Sequence, residues 1–432
     1  MALRVLMFGW EFPPHISGGL GTACYGMTRG LLKQNVEVLF VVPKAYGDED
    51  QRAVRIVNAS DIPVEVTEVD FNHFSRQLTY LEVASLLKPY LTPEAYEKIR
   101  QETRTETEEK RRTIFGQKYE FSGGYGKNLM DEVARYALVA ATVASRYDFD
   151  VIHAHDWFTY HAGIAAKKVS GKPLVVHIHA TEFDRTGQNV NTIIYDIEKS
   201  GMEAADRVIA VSNFTRNTVI EKYGIDPAKV VTVHNAIDPV EADPELLNIK
   251  KAVKEKVVTF LGRITFQKGP EYFVEAARKV LDRDRNVRFV MAGSGDMLNK
   301  VIRRVAQLKM ADRFHFTGFL RGKDVNRMFA LSDLFVMPSV SEPFGLVPLE
   351  AMRTNVPVIV SKQSGVAEVL RHAIKVDYWD VEGLADAMWG LLHYNSLASV
   401  FAKHGKAEVD ALKWDAAAEK IVDVYRQVLK QP

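Results

Sequence analysis

The sequence predicts an α/β protein with two doubly wound domains, in which helices cover both faces of a parallel sheet. Short runs rich in Val, Ile, Leu and Phe alternate with longer helical patterns along most of the chain. Strands that are buried on both faces have this pattern, and helices between them make their pairing parallel. The chain has 432 residues, more than one hydrophobic core usually accommodates. Two domains are therefore expected.

The first half contains a series of predicted strands that ends before residue 240. The runs are RVLMFG, VEVLFVV, DVIHAHD, PLVVHIHA, DRVIAVS and KVVTVHN. Between the second and third runs, residues 86–120 include a charged stretch that is poor in apolar residues, TPEAYEKIRQETRTETEEKRR. We expect an exposed helix or a mobile insertion there, because such a segment has little apolar surface to bury.

The domain boundary is predicted at residues 235–256, where prolines and charges interrupt the alternation. It separates a first domain, residues 1–240, from a second domain, residues 250–412. The predicted strands of the second domain are KVVTFLGR, VRFVMAG, RFHFTGF, DLFVMPS and VPVIVSK. The last segment, residues 414–432, has apolar residues at helical spacing and is expected to pack back onto the first domain.

Composition excludes several classes of function. The formal net charge is +1, which provides no general field for nucleic acid or an anionic membrane. The single cysteine, Cys24, excludes an internal disulfide and suits a reducing compartment. The first residues fit a buried strand better than a signal peptide, and no apolar run is long enough to span a bilayer. We expect a soluble cytoplasmic protein, in which an oligomer remains possible.

A glycine pair marks the first candidate binding loop. Gly18 and Gly19 end the long loop after the first strand, at the predicted start of a helix. Without side chains there, backbone N–H groups and the positive helix end can approach an anion or a sugar. A tight strand-to-helix turn is the alternative. The loop lacks the dinucleotide fingerprint G-x-G-x-x-G, and the chain has no P-loop, which disfavours nicotinamide and P-loop chemistry.

Two cations follow the first strand of the second domain. Arg263 and Lys268 lie on either side of a short turn before a predicted helix, in FLGRITFQKGPEYF. This arrangement suits a diphosphate, because arginine binds such groups bidentately and lysine acts as a point charge. Two surface bases in a loop are the alternative.

Histidines occur at alternate positions of two predicted strands, so each pair shares a face. They are His153, His155, His177 and His179. A metal site completed by Asp156 or Glu182 is one interpretation, since H-x-H at a strand end can bind zinc. We favour hydrogen bonding to sugar hydroxyls, or core packing in the case of His153 and His177.

An acid pair surrounds a Pro-Phe-Gly turn in PSVSEPFGLVPLEAM. Glu342 precedes the turn and Glu350 lies in the helix that follows. A helix cap and a solvated helix residue would explain them as structural residues. Ionised acids also accept hydrogen bonds from sugar hydroxyls, and the glycine lets the backbone approach a ligand.

Taken together, these motifs carry a family resemblance. The motifs of the second domain resemble the nucleotide-sugar domain of retaining glycosyltransferases with the GT-B fold, above all family 4. In order along the chain they are GR…QKG…GSGD…FTGF…SDLFVMPSVSEPFGLVPLEAM…VPVIVS…SGVAEV. SGGLG, HAHDW and VHNAID resemble the N-terminal half, and only residues 45–120 fall outside the resemblance. It implies two Rossmann-like domains that face each other across a cleft. HAHDW, SGGLGT and HIHATEFDR are most similar to glycogen and starch synthases. Ser17, where bacterial starch-type synthases carry lysine, favours family 4 over family 5.

The resemblance also implies roles on the donor side. Arg263 and Lys268 would hold the donor diphosphate and offset the charge of the leaving nucleotide. Glu350 would bind the ribose hydroxyls. The transferred hexose would be held by Glu342 together with the backbone of Phe344, Gly345 and Leu346. Base recognition is expected near Phe319 and Leu320, with a further donor contact at Gly293.

On the N-terminal side, the resemblance places Gly18 and Gly19 against the phosphates or the sugar. His155 would bond an outer sugar hydroxyl, while its carbonyl faces the anomeric carbon. Acceptor contacts are expected at Asp156, Trp157, His179 and Glu182.

The resemblance implies transfer of a hexose with retention of configuration. We expect glucose from ADP- or UDP-glucose as the donor, an α-1,4-glucan as the acceptor, and no metal or cofactor. The alternatives are a hexosyltransferase for a lipid-linked or cell-surface polysaccharide, a sugar-nucleotide epimerase of similar fold, and a non-catalytic homologue.

Overall fold

The computed structural model describes residues 2–15, 18–64, 116–126, 128–238, 249, 251 and 253–430. The first seven strands in this part of the chain are β1 (Leu3–Phe8), β2 (Val36–Val42), β3 (Arg55–Asn58), β4 (Val151–His155), β5 (Leu174–Ile178), β6 (Arg207–Ala210) and β7 (Val230–Thr232). They form one parallel sheet with the order β3-β2-β1-β4-β5-β6-β7. Its helices are α1 (Gly19–Lys33), α2 (Leu129–Arg146), α3 (Trp157–Ser170), α4 (Glu182–Thr186), α5 (Thr192–Ala204) and α6 (Asn213–Tyr223).

The second sheet is built from β8 (Lys256–Leu261), β9 (Val287–Ala292), β10 (Phe314–Gly318), β11 (Leu334–Met337), β12 (Val358–Ser361) and β13 (Ile374–Val376). It is also parallel, with the order β10-β9-β8-β11-β12-β13. The helices that follow in the chain are α7 (Pro270–Arg283), α8 (Leu298–Gln307), α9 (Lys323–Ala330), α10 (Val347–Arg353), α11 (Val366–Val369), α12 (Val381–His393), α13 (Asn395–Ala411) and α14 (Trp414–Leu429).

The predicted fold class is confirmed, because both sheets are parallel, with helices between their strands. Each of the predicted strands is present. Two described strands, β3 and β13, were not predicted. Both are edge strands of three or four residues with only partial burial, so they lack the continuous apolar run that marks an inner strand.

Alternate residues of the first sheet enter different hydrophobic layers. Leu6 and Phe8 of β1 pack in the layer that contains α2 and α3. Val5 and Met7 pack in the layer that contains α1 and α14. Strand β4 is buried along its whole length because helices cover both faces.

Helix α14 returns to the first sheet and packs on α1. Gly26 and Gly30 allow this approach: a Cβ on Gly30 would lie 2.7 Å from the carbonyl oxygen of Trp414. The hydroxyl of Tyr425 lies 2.6 Å from Nδ1 of His153. The last helix of the chain therefore completes the core of the first sheet. The domain bounds themselves stay a prediction.

Parts of the sequence interpretation lie outside the described residues. These are the insertion up to residue 115, Ser17, and most of the linker between residues 239 and 252. Among the helices that are described, none is both long and apolar enough to cross a membrane.

Candidate active site

The predicted diphosphate turn connects β8 to α7. Gly269 has a φ of 63°, and a Cβ there would lie 2.0 Å from the carbonyl oxygen of Pro338 at the end of β11. The turn is therefore packed directly against the neighbouring strand end, which requires glycine. Arg263 is exposed, and its Nη2 donates to Oε1 of Gln267 at 3.0 Å. The guanidinium is thus steered along the turn while part of it remains open to solvent.

Lys268 and Glu342 form an ion pair, although 74 positions separate them in the sequence. Their side chains are only 20% and 9% exposed. The hydroxyl of Ser339 donates to Oε2 of Glu342 at 3.2 Å. Strands β8 and β11 are neighbours in the sheet, and the loops after them carry these two residues to one point. The structure therefore brings together the lysine predicted to bind phosphate and the glutamate predicted to accept hydrogen bonds from the hexose.

The loop around Glu342 is held by backbone hydrogen bonds to the loop after β12. The amide of Glu342 donates to the carbonyl oxygen of Gln363 at 3.0 Å, and the amide of Gly365 donates to the carbonyl oxygen of Glu342 at 2.9 Å. Gly345 has a φ of 102°, and a Cβ there would lie 3.2 Å from Cγ of Glu342. Phe344 is buried, and its carbonyl oxygen accepts from the amide of Val366 at 2.7 Å. The turn thus fixes the position of the carboxylate.

Glu350 lies in the first turn of α10 and is half-buried. Burial raises the pKa of this carboxyl, and the nearby Arg353 opposes that rise. A carboxyl in the first turn also faces the positive end of the helix. Glu350 lies at the same end of the second sheet as Glu342, but on the helix rather than in the loop.

The glycine pair of the first domain adjoins the loop between β11 and α10, residues 338–346, which is named the hexose loop after the predicted role of Glu342. A Cβ on Gly19 would lie 3.8 Å from Cδ1 of Leu346, which is ordinary van der Waals contact. Nothing lies within 4 Å of a Cβ on Gly18, whose φ of −170° suits any residue. Neither the fold nor the backbone conformation requires glycine at position 18. A ligand that approaches the backbone would supply such a reason.

The predicted base contacts lie at the edge of the second sheet. The amide of Gly293 donates to the carbonyl oxygen of Gly318 at 2.8 Å. A Cβ on Gly293 would lie 1.9 Å from the carbonyl oxygen of Gly262, so these strand ends pack backbone against backbone. Phe319 is 55% exposed and lies beneath the Arg321 guanidinium, while Leu320 is half-buried.

The predicted histidines form one stack across β4 and β5. The rings of His153 and His177 lie 5.4 Å apart with an angle of 5° between their planes. Nδ1 of His155 lies 3.0 Å from Nε2 of His179. His153, His155 and His177 are buried, and burial lowers the pKa of each ring. Burial therefore favours the neutral form of these three rings, and the half-buried His179 lies at the end of the stack.

Two groups of side chains in the described residues could in principle hold a metal ion. One contains Cys24, His155 and His179, and the other contains His153, His155 and His177. Within each group the candidate ligand atoms lie within 4.8 Å of one another. In the second group the rings of His153 and His177 are nearly parallel, which directs their in-plane lone pairs side by side rather than toward one point. This geometry suits packing better than tetrahedral coordination.

The carbonyl of His155 accepts a hydrogen bond from the Thr159 hydroxyl at 2.8 Å. One lone pair of that oxygen is thus used within the protein, and a second remains for the role that the resemblance implies. Asp156 has a φ of 57°, and its Oδ1 accepts from the amide of His179 at 2.7 Å. Trp157 is buried against Phe158. Asp156 therefore holds the backbone after β5, and Trp157 packs in the core of the first sheet.

Glu182 belongs to a buried ionic network that the sequence interpretation missed. Nη1 of Arg185 donates to Oε1 of Glu198 at 2.8 Å and lies 3.7 Å from Oε2 of Glu182. The Tyr223 hydroxyl donates to Oε2 of Glu198. Burial raises the pKa of Glu198 to about 7, although Arg185 and Tyr223 oppose the rise. No sequence pattern marks Glu198, which lies in the middle of a helix.

Contacts between the two halves were also not predicted. The hydroxyl of Ser341, the residue before Glu342, donates to Oδ1 of Asp184. The Ser212 hydroxyl donates to the carbonyl oxygen of Pro343 at 2.5 Å. The carboxylate of Glu368 accepts from the amides of Asn213 at 2.9 Å and Phe214 at 2.7 Å, at the start of α6. The hexose loop is therefore bonded to the first half on both sides of Glu342.

Comparison with known proteins gives matches to both halves of the chain. Residues 244–408 match the family of glycosyl transferases group 1, and residues 91–241 match glycosyltransferase family 4. An uncharacterized glycosyltransferase of Methanocaldococcus jannaschii is 28% identical over 449 aligned positions, which cover 98% of each chain. The alpha-maltose-1-phosphate synthase of Mycolicibacterium smegmatis is 31% identical over 309 positions, covering 64% of this chain and 79% of that protein. A glycogen synthase of Mycobacterium tuberculosis is 23% identical across 98% of this chain and 94% of its own length.

Solved structures share the fold across the whole chain. Sucrose-phosphate synthase from Thermosynechococcus elongatus has a TM-score of 0.70 at 18% identity and covers 99% of both chains. The catalytic domain of starch synthase IV from Arabidopsis thaliana, bound to ADP and acarbose, has a TM-score of 0.66 at 15% identity and covers 100% of both chains. At these identities the comparison establishes a shared two-sheet architecture.

Proposed function

Because this chain belongs to glycosyltransferase family 4, with the GT-B fold, we propose that it transfers glucose from ADP- or UDP-glucose to an α-1,4-glucan with retention of configuration. The observation that carries the proposal is the Lys268–Glu342 pair, in a loop whose Leu346 lies against Gly19 of the first domain. A nucleotide sugar joins a charged diphosphate directly to a hexose rich in hydroxyls. A cation next to an anion matches that junction, because the ammonium donates to phosphate oxygens and the carboxylate accepts from hydroxyls.

The order of strands supports one orientation of the donor. The predicted contacts to the nucleotide base follow β10. The two cations predicted to bind the diphosphate follow β8, and Glu342, which is predicted to bind the hexose, follows β11. The sheet order is β10-β9-β8-β11, so these groups succeed one another in space in the same order as the parts of a nucleotide sugar. Ligands of open parallel sheets bind beyond the carboxyl ends of the strands, where all of these loops lie.

Glucose and an α-glucan are favoured by the relatives. A glycogen synthase and an alpha-maltose-1-phosphate synthase are similar to this chain, and a starch synthase shares its fold. The solved starch synthase binds ADP, and another protein of the same fold binds UDP-glucose. The base therefore remains a choice between adenine and uracil. A cytoplasmic location is part of the proposal and suits the single cysteine.

For the chemical step we propose front-face transfer. The bond between the anomeric carbon and the diphosphate oxygen breaks while the acceptor oxygen bonds to the same face of that carbon. The acceptor's proton passes to the leaving diphosphate, whose added charge Arg263 and Lys268 stabilise. These two cations replace a metal ion in the proposal, and the protein requires no further cofactor. A covalent glucosyl-enzyme trapped during turnover, or a rate restored after chelation by a divalent ion, would contradict this scheme.

The test is release of nucleoside diphosphate from ADP-, UDP- and GDP-glucose, with and without glycogen. We expect release from ADP- or UDP-glucose that glycogen stimulates. Arg263→Ala and Lys268→Ala should each lower kcat/KM by about ten- to a hundredfold, because a charge-assisted hydrogen bond contributes about 1.5–3 kcal/mol. Lys300→Ala is the matched control, since Lys300 is an exposed lysine of the same domain that pairs with Glu271.

Three results would change the assignment. Release that is indifferent to glycogen would redirect the acceptor search to lipid-linked and cell-surface glycans. Isomerised donor without any acceptor would indicate an epimerase. Binding of nucleotide sugar without release under any condition would indicate a non-catalytic homologue.

A further inference from the structure

An exposed group of aromatic side chains lies beside the candidate site, on the second domain. The rings of Tyr272 and Tyr378 lie 5.0 Å apart, and those of Tyr378 and Trp379 lie 4.8 Å apart. Trp379 is 57% exposed, whereas the two tyrosines are half-buried. We call these three residues the aromatic platform. Trp379 contacts Tyr378, which in turn contacts Tyr272, so the exposed indole is continuous with two partly buried rings.

The platform is held in place by polar contacts from the loop after β12. Oε1 of Gln363 accepts from the amide of Tyr378 at 3.4 Å, and Nε2 of Gln363 donates to Oδ1 of Asp377 at 2.9 Å. Nζ of Lys362 donates to Oδ2 of Asp377 at 2.8 Å. Asp380 caps α12 by accepting from the amide of Gly383 at 2.9 Å. The backbone that carries Tyr378 and Trp379 is therefore held on both sides, and charged and amide groups lie next to the rings.

Two connections tie the platform to the hexose loop. The carbonyl oxygen of Gln363, whose side chain holds Tyr378, accepts from the amide of Glu342 at 3.0 Å. On the other side, a Cβ on Gly269 would lie 3.2 Å from Cδ2 of Tyr272. The platform thus adjoins both the turn that carries Lys268 and the loop that carries Glu342.

The sheet order also gives the platform a direction relative to the donor. Base, diphosphate and hexose are proposed to lie along β10, β8 and β11, and the same edge continues through β12 to β13. Tyr378 and Trp379 directly follow β13. The platform therefore lies beyond the hexose, on the side opposite the nucleotide base. A growing chain that accepts the hexose and leaves the cleft on that side passes over it.

We propose that Tyr378 and Trp379, supported by Tyr272, form a binding site for an α-glucan chain beyond the bond-forming position. This inference rests on the proposed function and names a further part of its acceptor site. The apolar C–H faces of pyranose rings stack on the aromatic rings, and the surrounding Asp377, Lys362 and Asp380 bond their hydroxyls. Short acceptors do not reach the platform, whereas long ones do.

The test compares wild type with Trp379→Ala on maltotriose, maltoheptaose and glycogen. Two readouts are used: retardation in native gels that contain glycogen, and kcat/KM for each acceptor. Tyr394→Ala is the matched control. Tyr394 is 58% exposed and lies at the other end of α12, about 20 Å along the helix. Trp379→Tyr tests rescue by a smaller ring.

The proposal predicts that the loss grows with chain length. Trp379→Ala should lose most of its retardation by glycogen, and about five- to tenfold in kcat/KM for glycogen but less than about twofold for maltotriose. Trp379→Tyr should recover most of the loss, and Tyr394→Ala should match wild type.

Two results would overturn the inference while leaving the proposed function intact. One is wild-type behaviour of Trp379→Ala on every glucan that the wild type extends. The other is a wild-type dimer in sedimentation that Trp379→Ala abolishes, which would make the platform a contact between two copies of the chain. A wild type that neither binds glycogen nor extends any glucan would overturn the proposed function and this inference together.

Discussion

At the scale of single residues, the proposed donor site depends on the Lys268–Glu342 pair. Each charge partly compensates the other in a poorly exposed position. A diphosphate that arrives at Lys268 would weaken this pair and leave the carboxylate to accept from hydroxyl groups. The two residues therefore respond to one ligand as a unit, and their mutational effects should be non-additive.

Gly345 provides a test of how Glu342 is positioned. Alanine at this φ of 102° would be strained, and its Cβ would press on Cγ of Glu342. We expect Gly345→Ala to lower the free energy of unfolding by about 1–3 kcal/mol. The KM for the nucleotide sugar should rise as well, because the carboxylate moves. Urea unfolding and donor kinetics measure the two effects.

Gly390→Ala is the matched control for that substitution. Gly390 lies within α12, and nothing lies within 4 Å of a Cβ there. Alanine should stabilise this helix by up to about 1 kcal/mol and leave KM unchanged. If Gly345→Ala behaved like Gly390→Ala, Gly345 would have no positioning role.

Glu198 gives a prediction of pH dependence. Burial raises its pKa to about 7 in the folded protein, and an unfolded glutamate has a pKa of about 4.3. Between these values the folded state holds a proton that the unfolded state lacks. The contribution of this proton to the free energy of unfolding is fully present below about pH 4.3 and is lost as pH rises through about 7.

Glu198→Gln should therefore flatten the fall in unfolding free energy between pH 5 and pH 7.5, as measured by urea titration. Glu203→Gln, an exposed change on the same helix, should keep the wild-type slope. An unchanged slope in Glu198→Gln would show that Arg185 and Tyr223 already keep the carboxylate ionised across this range.

The residue types of the candidate site could be predicted from the sequence more readily than their contacts. Lys268 and Glu342 were both identified, and their proximity follows once β8 and β11 are known to be neighbours. The bond between Ser341 and Asp184 joins residues 157 positions apart and depends on how the two halves are placed. Neither composition nor periodicity contains that information. The assigned roles stay predictions.

At the scale of secondary structure, the approach of α1 to α14 connects the last helix with the glycine loop. A Cβ on Gly30 would lie 2.7 Å from the carbonyl oxygen of Trp414 and 2.9 Å from Cβ of Ala418. Gly30→Ala should therefore destabilise the protein by about 1–3 kcal/mol through overpacking, although alanine is the better helix former.

The same change should also raise the KM for the donor, because α1 begins at Gly19 beside Leu346. Thermal unfolding and donor kinetics of Gly30→Ala check the two effects. A variant that is more stable than wild type would show that the two helices separate without cost, and the tight packing would then have no energetic role.

Inner strands and long helices could be predicted because their apolar patterns are continuous. The five residues of β4 and of β5 are all buried, and both strands were identified. Strand β3 was missed because it reads RIVN, with two half-buried residues and one exposed residue. Strand β13 has three residues, none of them fully buried. Their pairing comes from the sheet they complete rather than from their own sequence.

At the scale of the whole molecule, the two sheets present their carboxyl ends to a shared site. Gly19 approaches Leu346, Ser341 bonds Asp184, and Ser212 bonds Pro343. The hexose loop belongs to the second half of the chain but is held by the first. Under the proposed function, a site divided in this way would bind its donor on one domain and admit an acceptor from the other, which suits group transfer.

The structure of the product distinguishes retaining transfer of glucose to an α-glucan from every alternative above. Maltotriose would be incubated with ADP- or UDP-glucose, and the product examined by proton NMR. We expect maltotetraose with a new α-1,4 bond, formed without loss of the donor's anomeric configuration. A β-linked product, or nucleotide release that leaves maltotriose unchanged while another glycan is extended, would contradict it.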